Sequence, residues 1–273
     1  MTTATLDRAA PSRTEGGYGF RTVAQMEWIK LRSVRSTWWT LLVFAAAMIG
    51  LAIPILIHQH WATMSATDRA SFDPTNDSFA GLAIGQLALG VLGVLVVTTE
   101  FSSGMIRATF AAAPRRPLVL AAKAAIVAAV TLVAGEILAF VAFGVGEAVL
   151  KSPAPHAALG QPGVLRAVLM AGAYPALIAL IGLGLGALIR HTAGAISAVV
   201  GVLFVLPLIL IPFGTSIQNS AGKFMPMLIA ENSLTAVKPL AHSLSPGVGF
   251  VVLCGYAAAA LAVGAWALAR RDA

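Results

Sequence analysis

The side chains able to do chemistry in this chain are few and scattered. Its five histidines are His58, His60, His156, His191 and His242. His58 and His60 stand two residues apart beside Trp61, whereas a zinc-binding helix sets histidines four apart on one face. The histidines are therefore read as surface groups, and no metal site is expected. The single cysteine, Cys254, lies in an apolar run and offers neither an intrachain disulfide nor a metal set. A phosphate-cradling loop needs Gly, four residues, then Gly-Lys-Ser/Thr. The one Gly-Lys pair, Gly222-Lys223, is followed by Phe224 and has Ile217 where the earlier glycine belongs. No Gly-x-Ser-x-Gly nucleophile elbow occurs either. These absences predict no catalytic residues, no bound cofactor and no ATP hydrolysis by this chain. One ionisable group stands out by its place. Glu136 lies mid-way along a long apolar run, where a charge costs about 2.5–3.5 kcal/mol on insertion scales. It must face protein or a cavity, either as a substrate-path or proton-relay group or as a protonated brace between two helices.

The elements that must position these groups follow from composition. Of 273 residues 58% are hydrophobic and only 11% charged, against about 25% charged in soluble domains. So little polar surface cannot cover a water-soluble globule, and the bilayer is the natural solvent. A helix crosses the hydrocarbon core with about 20 apolar residues. Six runs qualify: Trp38–Ile57, Phe79–Thr99, Leu118–Gly146, Val164–Ile189, Ala193–Phe213 and Val248–Ala269. Backbone groups in lipid must pair internally, which makes these runs helices. The predicted fold is an all-α integral membrane protein of six transmembrane helices. The fourth and fifth runs are separated only by Arg190, His191 and Thr192, so a tight hairpin is predicted there.

Charge sets the orientation. With both termini cytoplasmic, only Arg69, Lys151, Arg166, Lys223 and Lys238 of the 18 Lys and Arg fall outside. The net charge of +7 is thus spread through short segments between apolar runs, suiting anionic lipid headgroups. No basic stripe with interleaved aromatics suggests nucleic acid. Residues 1–19 read as a disordered cytoplasmic tail, and residues 20–273 as one transmembrane domain at the cell membrane. Within residues 20–35, Phe20, Val23, Ala24, Trp28, Leu31 and Val34 share one broad helical face into which Glu27 intrudes. This predicts a helix lying in the membrane interface, with Glu27, Trp28, Lys30, Arg32 and Arg35 as its marked residues. The segment Gly214–Pro246 is long and partly apolar, and predicts a short external helix or re-entrant hairpin.

After the second run comes Thr98-Thr99-Glu100-Phe101-Ser102-Ser103-Gly104-Met105-Ile106-Arg107-Ala108-Thr109-Phe110, ending at Pro114-Arg115-Arg116-Pro117. Small polar residues with one acid, one base and two phenylalanines suit a short helix that docks a soluble partner. Together with Glu27-x-x-Lys30-Leu31-Arg32-Ser33-x-Arg35-Ser36 and the Pro-Arg-Arg and Lys123 that follow, this segment resembles the permease subunits of type-2 (ABCG-like) ATP-binding-cassette exporters, especially the small actinobacterial ones. The resemblance runs from about residue 20 to the end, with only the two cytoplasmic motifs specific. It implies a connecting helix at Phe20–Arg35 and a coupling helix at Glu100–Phe110 that seats in a nucleotide-binding subunit. The partner-binding residues it implies are Glu100, Phe101, Ser103, Gly104, Arg107 and Phe110. Glu100 is expected to meet a partner cation, Arg107 a partner acid, and the two phenylalanines to carry most of the docking. It further implies two ATPase subunits holding ATP and Mg, a second permease copy or paralogue, and contact with membrane lipids. Few fixed charges suit lipids or amphipathic drugs as cargo better than sugars or ions, and the resemblance implies export. An ion-coupled secondary transporter would show paired intramembrane charges and repeats; a non-transporting membrane scaffold protein is the further alternative.

Overall fold

The structure, a computed structural model, describes residues 19–58, 61, 64–237 and 243–270. The tail expected over residues 1–19 lies almost wholly outside them, as do His60, Lys238 and His242. The described residues form helices joined by short turns, with no strand. A short helix α1 (Phe20–Ser33) turns at Val34 into α2 (Arg35–His58). Two one- to two-turn helices, α3 (Ala66–Ser71) and α4 (Pro74–Asp77), lead into α5 (Leu82–Ser102). Then come α6 (Met105–Ala112), α7 (Arg116–Val149), α8 (Val164–Ile189) and α9 (Thr192–Val200). The ninth helix runs on through a π-helical turn at Gly201–Val205 into α10 (Leu206–Leu210). Short helices α11 (Thr215–Ala221) and α12 (Pro226–Leu234) precede α13 (Pro246–Arg270).

Six of these stretches are long and apolar enough to cross a membrane: Arg35–Ile57, Leu82–Ser102, Arg116–Val149, Val164–Ile189, Thr192–Phe213 and Pro246–Arg270. The protein is therefore an all-α, multi-pass membrane protein. The bounds agree with the predicted runs to within a few residues. The π turn has a local cause. Proline has no N–H to offer the carbonyl one turn back, and its ring crowds that carbonyl. Widening the helix just before Pro207 relieves the clash. A 3₁₀ turn containing Pro212, Ile211–Phe213, ends the span.

The helix α8 is the centre of the bundle. Two-thirds (67%) of its most apolar window is buried, against 17% for the span Thr192–Phe213 and 22% for α2 and α13. It packs on α5, α7 and α13, and Val168, Ala171, Ile178 and Ala179 join Leu89, Val127 and Leu253 in one core. Glycine sets how closely the helices approach. A Cβ on Gly93 of α5 would stand 1.9 Å from the carbonyl oxygen of Ala179, and one on Gly182 of α8 2.3 Å from that of Gly90. Between α7 and α8, a Cβ on Gly135 would lie 2.2 Å from the Gly172 carbonyl. These glycines thus serve packing between helices of one chain.

The end of the bundle remote from α1 is closed by loops tied to one carboxylate. Asp73 accepts the N–H groups of Thr75 and Asn76 on one oxygen (3.1 and 3.2 Å) and those of Ala236 and Val237 on the other (2.6 and 2.9 Å). It so caps α4 and pins the chain after α12. Nearby Asp77 is raised to about 6 by burial and by the charge of Asp73. The expected helix within Gly214–Pro246 is present as α11 and α12, and α12 packs on α13 and α8.

The glycine contacts make a direct prediction. Gly93→Val should drive α5 away from α8 and destabilise the fold by about 1–3 kcal/mol, as overpacked cores do. The readout is a lower melting temperature in detergent, whereas Gly144→Ala, with open space at its Cβ, should leave it unchanged.

Candidate functional site

The polar centre of the molecule lies where α1, α5, α6 and α7 meet. Val23, Glu27 and Leu31 of α1 are buried, a stripe at i, i+4, i+8 that faces α7. Glu27 is thus carried into the protein between two apolar anchors. Lys123 lies two turns inside α7 and is 2% exposed. Its ammonium donates to Glu27 Oε2 at 2.6 Å, to Glu100 Oε1 at 2.6 Å and to the Val96 carbonyl at 3.4 Å. Lys30 donates to Glu27 Oε1 at 2.9 Å, to Glu100 Oε1 at 3.0 Å and to Thr109 Oγ1 at 3.2 Å. Thr109 in turn donates to Glu100 Oε2 at 3.4 Å.

An ammonium has three donors and a carboxylate two oxygens. Here every donor of both lysines and every oxygen of both glutamates is engaged, and the charges of Glu27, Lys30, Glu100 and Lys123 sum to zero. Burying an ion costs several kcal/mol unless its partners are complete, and this quartet is complete. Burial works against the Lys30 ammonium, but Glu27 and Glu100 outweigh it and hold its pKa above the ordinary lysine value.

This geometry corrects the expectation for Glu100. The carboxylate does not face outward to a partner; it closes a buried network within the chain. A Glu100→Arg change would set a third cation beside Lys30 and Lys123, so it would disturb folding before it tested docking. The two phenylalanines also turn inward. Phe101 and Phe110 pack at the edge of a small core containing Val97, Leu120, Leu183 and Leu268. Arg190 stacks its guanidinium 5.0 Å from the Phe101 ring, and Arg116 5.3 Å from the Phe110 ring. The same arginines donate to carbonyls near the end of α13, Arg190 to Ala267 and Arg116 to Leu268, each at 3.0 Å. Arg190 also makes the predicted tight turn, in the left-handed region at φ +60°, with His191 accepting the Gly194 N–H at 3.3 Å to start α9.

What remains exposed on this segment is smaller and different. Ser102, Ser103, Gly104, Met105, Arg107, Ala108 and Ala111 are open to the surroundings, with Met105 50% exposed. Gly104 takes φ +73°, which lets α5 end and α6 leave at once in a new direction. The separate short helix is therefore Met105–Ala112, and Glu100, Phe101 and Ser102 of the expected Glu100–Phe110 helix belong instead to the end of α5. On α1 the single apolar face divides: Val23 and Leu31 point inward, while Phe20, Trp28, Ile29 and Val34 are 44–61% exposed. Arg32 and Arg35 are exposed as well.

Glu136 sits elsewhere, at the crossing of α7 and α8. Its Cδ lies 2.5 Å from where a Cβ on residue 172 would stand, so Gly172 provides the notch it occupies. Its Oε2 has no hydrogen-bond partner among the described residues. Of the histidines, His156 pairs with Glu147 at 3.1 Å and His191 serves as the cap already described. No protein-family model matches the chain, and no curated protein matches it in sequence.

Lys123 is the residue that sequence reasoning underused. Its signal was present: an isolated lysine inside an apolar run needs an acid, and Glu27 was an acid on an apolar face. Lys123→Ala should leave two carboxylates sharing one ammonium and cost about 3–5 kcal/mol. Thermal unfolding in detergent measures it, and the exchange Glu100→Lys with Lys123→Glu should recover more than half of the loss. Because the Lys30 pKa is raised on folding, its contribution is full below the ordinary lysine pKa and disappears as pH climbs through the raised value. Lys30→Met should therefore flatten the alkaline limb of the stability profile above about pH 10.

Proposed function

We propose that this chain is the permease subunit of an ATP-driven exporter, moving a lipid-like or amphipathic drug-like substrate with ATP hydrolysed by a separate P-loop subunit. The observation that carries the reading is the rigid attachment of an exposed helix to the spans. Helix α6 presents Met105, Arg107 and Ala108 outward, while Thr109 on its other face is bound into the quartet with α1, α5 and α7. A displacement imposed on α6 would thus reach two spanning helices without slack. A chain with no phosphate-binding loop needs such a contact to receive energy. The resemblance of the two motifs to type-2 exporters supports the same assignment, as does the concentration of Lys and Arg on the side bearing α1, which favours cytoplasmic termini in the cell membrane. The apolar, weakly buried outer faces of α2 and of the span Thr192–Phe213 suit lipid and a second permease copy or paralogue. ATP and Mg belong to the partner.

Docking is assigned to the outward residues of α6 rather than to Phe101 and Phe110. Purification of the tagged chain from its host membrane should bring down a P-loop ATPase. Met105→Glu combined with Ala108→Glu should reduce the recovered ATPase and its substrate-stimulated hydrolysis about tenfold or more, the loss of 1.4 kcal/mol or more of docking energy, with the melting temperature of the permease unchanged. Retention of both by the double variant, or the absence of any ATPase partner, would sink the proposal.

A further inference from the structure

Beside the quartet lies a cleft of about 320 Å³, within the size range of small-molecule sites, about 300–1,000 Å³. Along their lengths α5 and α7 scarcely touch each other; at the cleft Lys123 of α7 reaches Glu100 of α5 and Glu27 of α1. Its deep wall is apolar, formed by Leu92, Leu95 and Val96 of α5 with Ile126 and Val127 of α7. Its exposed edge is mixed, with the hydroxyls of Ser33, Thr99 and Ser103 beside Val34 and Met105, and Ser36 and the buried Thr37 line it at the α1–α2 elbow. An apolar wall with hydroxyl groups along its exposed edge matches a molecule with one apolar tail and one small polar head.

The hydrogen-bond accounting narrows the head. The quartet forms part of the wall; its ammonium donors are all engaged and its charges sum to zero, so it offers no net charge to an ionic group. Glu27 Oε1 and Oε2 and Glu100 Oε2, each accepting one hydrogen bond, keep a lone pair for an incoming donor. Three hydroxyls at the exposed edge already donate hydrogen bonds within the chain. Ser33 donates to the Lys30 carbonyl at 2.9 Å, Thr99 to Leu95 at 2.6 Å and Ser103 to Thr99 at 2.7 Å. Each is left with oxygen lone pairs directed to an incoming donor. A phosphate would find donors only in Ser36 and Thr37 and no free cation to neutralise it, and an alkylammonium would be desolvated without a counter-charge.

We propose that the cleft binds a single-chain amphiphile whose head is uncharged and rich in O–H donors, of the monoacylglycerol type. The tail lies between α5 and α7 and the head contacts the hydroxyls of Ser33, Thr99 and Ser103. This site does not depend on the transport reading, because binding is measured with no ATPase present.

The test uses the full chain in phosphatidylcholine nanodiscs and a monoacylglycerol carrying a photoreactive group in its tail. Labelling should fall on peptides containing Leu92–Val96 and Ile126–Val127 and be displaced by plain monoacylglycerol. A lysophosphatidic acid or an alkyltrimethylammonium of the same chain length should compete about tenfold less well, one decade in dissociation constant. Leu95→Trp and Ile126→Trp should fill the slot and reduce labelling about tenfold, while Leu42→Trp, on the exposed side of α2, should leave it intact. Thr99→Val removes an acceptor without changing shape, and should weaken binding even if the tryptophan variants fail to fold. Labelling spread evenly over α2 and α13, or unchanged in Thr99→Val and in the filled variants that fold, overturns the site. Equal competition by the anionic lipid overturns the assignment of its head.

Discussion

Two lysines and two glutamates, closed on one another with every ammonium donor used and every carboxylate oxygen bonded, hold the rest of this end of the molecule in place. In a chain with only 11% charged residues, four of the charges are concentrated where α1, α5, α6 and α7 converge. Their burial is tolerable only because the network is complete; removal of any one member leaves an ion without its partner in a poorly solvated site. That asymmetry gives the quartet a role that apolar packing would not. Apolar side chains permit sliding and rotation at small cost, whereas Glu27, Lys30, Glu100 and Lys123 meet in one register alone.

From that fixed point the architecture extends by two further devices. The first is glycine-lined contact: Gly90 and Gly93 bring the backbone of α5 against α8, and Gly172 and Gly135 do the same for α7 and α8. The second is the pair of arginines that face Phe101 and Phe110 and reach the last carbonyls of α13. A helix C-terminus carries partial negative charge, so guanidinium groups there are favoured twice, by hydrogen bonds and by the dipole. The short helix α6 is consequently connected through the Thr109 hydroxyl to Lys30 of α1 and Glu100 of α5, and through Phe110 and Arg116 to α13.

Much of this was legible in the sequence, for a physical reason. Spanning helices are local: each pairs its own backbone, so length and hydropathy suffice to find them, and the six runs emerge within a few residues of their observed bounds. The turn at Arg190 was equally local. The site was legible only as marked residues. Glu27 as an intruder and Lys123 as an isolated lysine were each visible, but they are 96 residues apart, and nothing in either segment states that they meet. Phe101 and Phe110 read outward because a short amphipathic helix has two candidate faces; the choice was made by Arg116, Arg190 and the end of α13, all distant in sequence.

The cleft sits beside the quartet and not deeper in the bundle for a physical cause. Where glycines line a helix contact the backbones close and no space survives, as between α5 and α8. Between α5 and α7 the contact is instead made by a long lysine side chain reaching across to Glu100 and Glu27. A bridge of that length holds two helices at a fixed separation without filling the volume beneath it. The ionic network that secures α6 therefore also keeps the cleft open, and any molecule lodged between α5 and α7 would press on the helices that hold α6.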